Sequence, residues 1–304
     1  MTEVFPPRQQ PSAWVSVILI LLTAFFGFSL IGPLIGFFFA MAGFEGSLAT
    51  LVENITNGST DPSMWVPNYL LQGSATLFGL IAGPWLLYRI RFQASPTELF
   101  KATSWRPALL VCVLVIVFSI VDSVVVSWNN SIHFPGAFDE FVRSLEARAA
   151  EVTHFMTTFH NPLEFATGLF VIALLPAIGE ELVFRGMIQR ELQRWSGNAH
   201  LAIWTAAIIF SAFHLQFLGF APRVLLGALF GYLYYWSGNL WIPVVGHLFN
   251  NGMLVTLIYL NQLGITKIDM ESTEPSPVML VIASVFGTAF LLSYLKRTLS
   301  AANS

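Results

Sequence analysis

Three short polar clusters interrupt apolar segments in the second half of the chain. They are Glu180-Glu181-Leu182-Val183-Phe184-Arg185, Phe210-Ser211-Ala212-Phe213-His214 and His247-Leu248-Phe249-Asn250-Asn251. A carboxylate in a low-dielectric pocket has its charged form disfavoured, which makes it a stronger base toward a bound water. Imidazole and amide N–H groups can stabilise the oxyanion that forms when water adds to a carbonyl. These residue types therefore predict peptide hydrolysis without a covalent enzyme intermediate.

Four of these residues form the predicted catalytic set. Glu180 would take the proton from water, and His214 would hold or orient that water. His247 and Asn251 would donate hydrogen bonds to the oxyanion. A network of the same residues that only joins helices is the alternative interpretation, because buried polar side chains also link membrane helices.

Helical spacing orders the residues within each cluster. Residues four apart share a helix face, and this spacing gives three pairs: Glu181 with Arg185, Phe210 with His214, and His247 with Asn251. Glu180 points about 100° away from Glu181, toward a different neighbour. Glu181 and Arg185 can therefore pair on one face of a helix.

Composition places the chain among membrane proteins. Hydrophobic residues make up 55% of the sequence and charged residues 10%, whereas soluble domains average about 25% charged residues. Ionisable groups at bilayer depth are costly, so they are usually retained for function. The net charge of −3 is small and the basic residues are scattered, which argues against nucleic-acid binding. The lipid bilayer is the expected partner.

Eight apolar stretches are candidates to cross a hydrocarbon core, which takes about 20 residues each. They cover residues 13–40, 69–88, 107–128, 163–187, 201–217, 224–236, 240–260 and 278–295. The predicted fold is an all-α, polytopic bundle of about eight transmembrane helices. In this arrangement, nine Lys and Arg residues lie on the side of the membrane that holds both termini and four lie on the other side. This count includes Arg8 and omits Arg185. This bias predicts cytoplasmic termini.

The chain is expected to form one membrane domain over residues 1–304. Its parts are N-terminal helices at 13–128, an outer segment at 129–162, a catalytic core at about 163–260 and a last helix at 278–295. Within the outer segment, apolar residues recur at helical spacing among charged ones, which predicts an amphipathic helix on the outer membrane surface. The absence of targeting signals and of extra domains favours a bacterial inner membrane.

The three clusters are predicted to lie at matching depths. Glu180 precedes Gly197 by 17 residues and His214 follows it by 17, so a hairpin turning at Gly197 brings both to one level. His247 follows a second turn at Gly238 by 9 residues, which corresponds to a depth of about 10 to 13 Å. The clusters should converge on one cavity that opens to the cytoplasm.

At these residues the chain resembles the intramembrane endopeptidases that include the type II CAAX prenyl proteases and their bacterial relatives, the CPBP or Abi family. The family motifs EExxxR, FxxxH and HxxxN/D correspond here to Glu180-Glu181 with Arg185, to Phe210 with His214, and to His247 with Asn251. The resemblance covers about residues 163–260. It implies an eight-helix fold, water activation by Glu180 and His214, an oxyanion hole of His247 and Asn251, and a peptide or lipidated protein as substrate. It also implies a supporting role for Glu181, Arg185 and Phe210.

Alternative interpretations differ in chemistry. One Glu and two His residues can form a catalytic zinc site, although the HExxH spacing is absent and the resemblance favours a mechanism without metal or other cofactor. A non-catalytic scaffold or immunity protein of the same fold is a second alternative. A proton-coupled transporter is a third, but the outer halves of the helices contain few ionisable groups.

Overall fold

The computed structural model describes residues 12–92, 95–268 and 272–303, and every regular element in these ranges is helical. Arg8, which contributes to the charge bias, lies outside them. The helices are α1 (Ala13–Gly43), α2 (Leu48–Asn57), α3 (Pro62–Arg91), α4 (Trp105–Asn130), α5 (Ala137–Met156), α6 (Pro162–Ser196), α7 (Ala199–Phe213), α8 (Phe220–Ser237), α9 (Trp241–Gln262) and α10 (Val278–Asn303).

The helices fit a polytopic membrane bundle. Among the described residues, six helices are long and apolar enough to cross a membrane, namely α1, α3, α4, α6, α9 and α10. The α7 helix is apolar but has 15 residues, and α8 has 18. Each of the eight predicted stretches coincides with a helix, which confirms the all-α class. The number of crossings and the side of the termini stay predictions.

Three of the long helices widen into a π-helical turn two residues before a proline. The turns are Gly27–Ile31 before Pro33, Leu77–Ala82 before Pro84, and Leu169–Leu174 before Pro176. A proline lacks an N–H group, and its ring crowds the carbonyl four residues earlier. A widened turn gives that ring room, so the long helices continue through their prolines.

Two of these widened turns contact each other where α1 crosses α3. A Cβ atom added at Gly79 would lie 2.4 Å from the backbone nitrogen of Phe28, and one added at Gly27 would lie 2.6 Å from the Gly79 Cα. The crossing therefore requires residues without side chains. Gly179 of α6 packs against Leu80 of the same turn, so this crossing also supports the helix that carries the first polar cluster.

The predicted amphipathic helix is present as α5. Its Glu146 side chain accepts a hydrogen bond from the Leu218 N–H at 2.9 Å, and Phe138 contacts Phe217 with ring centroids 5.6 Å apart. It thus covers the loop between α7 and α8. Its position on the membrane surface stays a prediction. The outer loop predicted between the first two spans contains a further short helix, α2, which the sequence reasoning missed.

Two turns with the same sequence, Ser-Gly-Asn, connect helices around the site. Gly197 and Gly238 both adopt the left-handed conformation, with φ of 65° and 55°, which glycine adopts without steric cost. The predicted fifth span was too long, because α7 ends at Phe213 rather than Phe217. Leu215, with φ of 54°, follows this helix end directly and turns the chain away from the helix axis.

Candidate active site

The first polar cluster lies where α6 changes from α-helical to π-helical geometry. Glu180 is the last residue of the α-helical part, and Glu181–Gln189 form a π-helical segment in which all nine residues are buried. Wide turns of this kind are rare and are frequently found at functional sites. The segment lies in the main hydrophobic core, where Leu182, Phe184 and Ile188 are almost fully enclosed.

Glu180 and His247 face each other across the site. Glu180 Oε2 is 3.7 Å from His247 Nε2, and their side chains are 14% and 5% exposed. This separation is too long for a hydrogen bond. A small polar group such as water can therefore contact both atoms from one side.

One carboxylate oxygen of Glu181 contacts both Arg185 and His247. Its Oε1 accepts from Arg185 Nη1 at 2.8 Å and contacts His247 Nδ1 at 2.8 Å. The Glu181–Arg185 pair follows the predicted four-residue spacing. The contact with His247 was missed, because spacing within α6 carries no information about α9. An ionised Glu181 only accepts hydrogen bonds, so it keeps a proton on Nδ1 of His247.

Arg185 is buried, with 1% of its side chain exposed, and has partners on three helices. Besides Glu181, it donates from Nη2 to the Gly227 carbonyl at 3.1 Å. Its guanidinium lies 4.7 Å from the centroid of the Phe210 ring and 5.8 Å from that of Phe230. A buried charge is costly unless it is paired and hydrogen-bonded, and these contacts meet that requirement.

The glycines of α8 allow this close approach. A Cβ atom at Gly231 would lie 2.8 Å from Gln189 Oε1, and one at Gly227 would lie 3.1 Å from the Ala207 Cβ. Both glycine carbonyls also accept hydrogen bonds, Gly227 from Arg185 and Gly231 from Gln189 Nε2 at 3.1 Å.

His214 follows the last residue of α7 and is half-buried. Its Nδ1 bonds to the Phe210 carbonyl at 2.9 Å. Because a carbonyl only accepts, Nδ1 carries the proton, and the neutral ring keeps a lone pair on Nε2. The Phe210 ring contacts the rings of both His214 and His247, with centroids 4.9 Å and 6.2 Å away. Phe210 therefore links the two histidines.

Asn251 lies one turn after His247 on α9 and is half-buried. Asn251 Oδ1 accepts a hydrogen bond from Asn250 Nδ2 at 3.2 Å. The Nδ2 group of Asn251 remains as a hydrogen-bond donor. In the described part of the chain, the structure joins Glu180, Glu181, Arg185 and His247 by direct contacts. His214 is linked to this group by the Phe210 ring, which contacts both histidines. Asn251 lies one helical turn after His247 on α9.

The described residues offer no group of three or more His, Cys, Asp or Glu side chains placed to hold a metal ion. Glu181, the second carboxylate of the site, already contacts Arg185 and the Nδ1 atom of His247. Glu180, His214 and His247, which the zinc alternative requires as ligands, do not form such a group in the described part of the chain.

These observations define a helical membrane protein with a glutamate and histidine site buried among its helices. Residues 162–253 match the family of Rce1-like type II CAAX prenyl endopeptidases. The resemblance stated from the three motifs is thereby confirmed, and this segment of the chain is Rce1-like. Rce1-like proteins are a protease family, and the matched residues contain all three polar clusters.

One curated relative is similar over part of its length. The uncharacterized protein YpbD of Bacillus subtilis is 34% identical over 83 residues, which are 26% of this chain and 39% of that protein. The chain thus spans about two fifths of the length of the relative that it matches. No solved structure shows a significant match to this chain.

Proposed function

We propose that this protein is an intramembrane endopeptidase that hydrolyses a peptide bond with a water activated by Glu180 and His214. The observation that carries the proposal is that Glu180 faces Nε2 of His247, while Glu181 contacts Nδ1 of the same ring. All three residues lie within the segment that matches a protease family. A buried network that only joined helices would be expected to bond Glu180 directly to His247. Instead the two side chains face each other beyond hydrogen-bond distance.

The first step is attack by water. Glu180 accepts one proton of the water, and the lone pair on Nε2 of His214 accepts a hydrogen bond from the other O–H group. The water oxygen then bonds to the carbonyl carbon of the substrate, and the carbonyl oxygen becomes an oxyanion. Phe210 contacts the rings of both His214 and His247, and His247 faces Glu180, which supports the placement of these groups around one water.

The oxyanion is then stabilised and collapses. His247 donates from Nε2 when its ring is doubly protonated, and Glu181 stabilises that imidazolium through Nδ1. Asn251 donates from Nδ2. When the tetrahedral intermediate collapses, the C–N bond breaks and Glu180 returns its proton to the leaving amine. Arg185 and Phe210 support the geometry without touching the reacting atoms.

The proposed substrate is a peptide or lipidated protein held at the membrane, and the proposed location is a bacterial cell membrane. The apolar helices support the membrane setting. The similarity to a Bacillus subtilis protein supports a bacterial one. We propose no cofactor.

The test uses the purified protein in proteoliposomes with an internally quenched, farnesylated CAAX-type peptide. The wild type should cleave it, and Glu180→Gln should lose about 10²- to 10⁴-fold in rate, because an amide keeps the shape but cannot take the proton. Glu53→Gln, at an exposed site on α2, is the matched control and should cleave as the wild type does. No cleavage by the wild type, or full activity of Glu180→Gln, would overturn the proposal.

A further inference from the structure

A second arginine, Arg223, is half-buried and lies nine residues after His214 in the chain. Arg223 is in the first turn of α8, and the loop that leads to it begins at His214. Its Nη2 donates to Gln216 Oε1 at 2.6 Å, and its Nη1 donates to the Gln216 carbonyl at 3.3 Å. A Cβ atom at Gly219 would lie 2.2 Å from Nη2, so the loop is shaped to fit this side chain.

Arg223 has a neutral partner in place of a carboxylate. Among the residues that the structure describes, no Asp or Glu oxygen lies within 4.0 Å of its guanidinium. Glu146, a carboxylate of α5 that contacts this loop, accepts a hydrogen bond from the Leu218 N–H. A half-buried charge without a bonded counter-ion is costly to retain, which points to a functional role for Arg223.

A cavity of about 560 Å³ borders this arginine's partner. Gln216 and Glu146 line it on one side, and Leu254, Ile258 and Asn261 of α9 line it on the other. Residues 247, 251, 254, 258 and 261 follow one another at helical spacing, so they share one face of α9. The cavity therefore extends along the same face that carries the proposed oxyanion donors.

We propose that Arg223 binds a carboxylate of the substrate peptide, with the neighbouring apolar part of that peptide in the cavity beside α9. The proposal rests on the function proposed above. Arginine matches a carboxylate with two parallel hydrogen bonds, and Gln216 orients the guanidinium without neutralising it. The carboxylate can belong to the peptide's C-terminus or to an acidic side chain near the scissile bond.

The test compares three internally quenched, farnesylated peptides that differ only at their ends. The first ends in a free carboxylate, the second in an amide, and the third in an amide but carries Asp as its last residue. For the wild type we expect KM to be about 10- to 100-fold lower for the first or the third peptide than for the second, as expected for a lost charged hydrogen bond. Preference for the first identifies the C-terminal carboxylate, and preference for the third identifies a side chain.

The variant arm uses Arg223→Gln, with Arg143→Gln on α5 as the matched control. Arg223→Gln should raise KM for the preferred peptide to the value for the plain amide and leave kcat nearly unchanged, while Arg143→Gln should preserve the preference. Arg223→Lys should restore part of it, because it keeps the charge but not the two-pronged geometry. An equal effect of Arg223→Gln on all three peptides would overturn the proposal.

The comparison of peptides on the wild type needs no variant to fold. Equal KM values for all three peptides would also overturn the role of Arg223, while the peptidase itself would stand. Cleavage of none of them by the wild type is a separate outcome, because it would overturn the proposed function together with this inference.

Discussion

His247 Nδ1 lies 2.8 Å from Glu181 Oε1, and the same oxygen accepts a hydrogen bond from Arg185. This shared oxygen fixes the ring of His247 so that its Nε2 atom faces Glu180. The two adjacent glutamates thus contact opposite nitrogens of one imidazole. Glu180 is partly open to the site, whereas Glu181 is fully enclosed, which suits the first to chemistry and the second to support.

Glu181→Gln should lower both stability and rate. The amide cannot neutralise the buried Arg185, and loss of one partner from a buried ion pair costs about 3 to 5 kcal/mol in free energy of unfolding. The amide oxygen is also a weaker hydrogen-bond acceptor for His247 than the carboxylate is. Thermal unfolding of the purified protein should show a clear loss for Glu181→Gln and almost none for Glu180→Gln. Equal stability of the two variants would contradict the supporting role.

Asn251→Ala should reduce cleavage by about 10²- to 10³-fold, the usual cost of one lost oxyanion donor. The loss should appear in kcat rather than in KM, because the donor acts on the transition state. Thr256→Ala on the same helix is the control, since that hydroxyl bonds locally to the Gly252 carbonyl. A change confined to KM would argue against an oxyanion hole at Asn251.

Gly79→Ala should destabilise the fold by about 1 to 3 kcal/mol, because the added methyl group would overlap the backbone of Phe28. Gly73→Ala in the same helix is the matched control. Its Cβ would meet Val171 at an ordinary 3.6 Å, so its unfolding temperature should stay at or above that of the wild type. Identical unfolding temperatures for both variants would contradict the close crossing of α1 and α3.

Cleavage should survive exhaustive chelation by EDTA. The proposed water is activated by Glu180 and His214 alone, so removal of free metal should leave the rate unchanged. Recovery of a lost activity on adding zinc would keep the same residues but replace the mechanism with metal-assisted hydrolysis. Metal analysis of the purified protein provides an independent check on either result.

The predicted topology places residue 103 and residue 267 on opposite sides of the membrane. In a background in which Cys112 is replaced by Ser, single cysteines at these exposed positions, Thr103→Cys and Lys267→Cys, should react with an impermeant thiol reagent from different sides. Labelling of intact cells is expected for Lys267→Cys and not for Thr103→Cys. Reaction of both from one side would mean a different number of crossings between them.

Helix positions and motif residues were predictable because they depend on local properties of the sequence. Apolar runs, the two Ser-Gly-Asn turns and the four-residue spacing of Glu181 and Arg185 act over a few residues. The equal depth of Glu180 and His214, inferred from equal counts on either side of Gly197, stays a prediction. Residues 162–253, which match the protease family, contain the same three clusters.

Tertiary packing decided which atoms face each other. The rotation of α6 relative to α9 determines that Glu181, rather than Glu180, bonds to His247 Nδ1, and that rotation depends on contacts between residues 66 positions apart. The π-helical segment shifts the phase of the helix within the motif itself, which a regular period cannot anticipate. Arg223 gave no sequence signal, since its relation to the site arises from the turn at Leu215 and from the helices packed around that loop. The sequence by itself thus determined the class of protein and its three polar clusters, because both depend on local residue patterns, and long-range packing determined how the side chains of those clusters are paired.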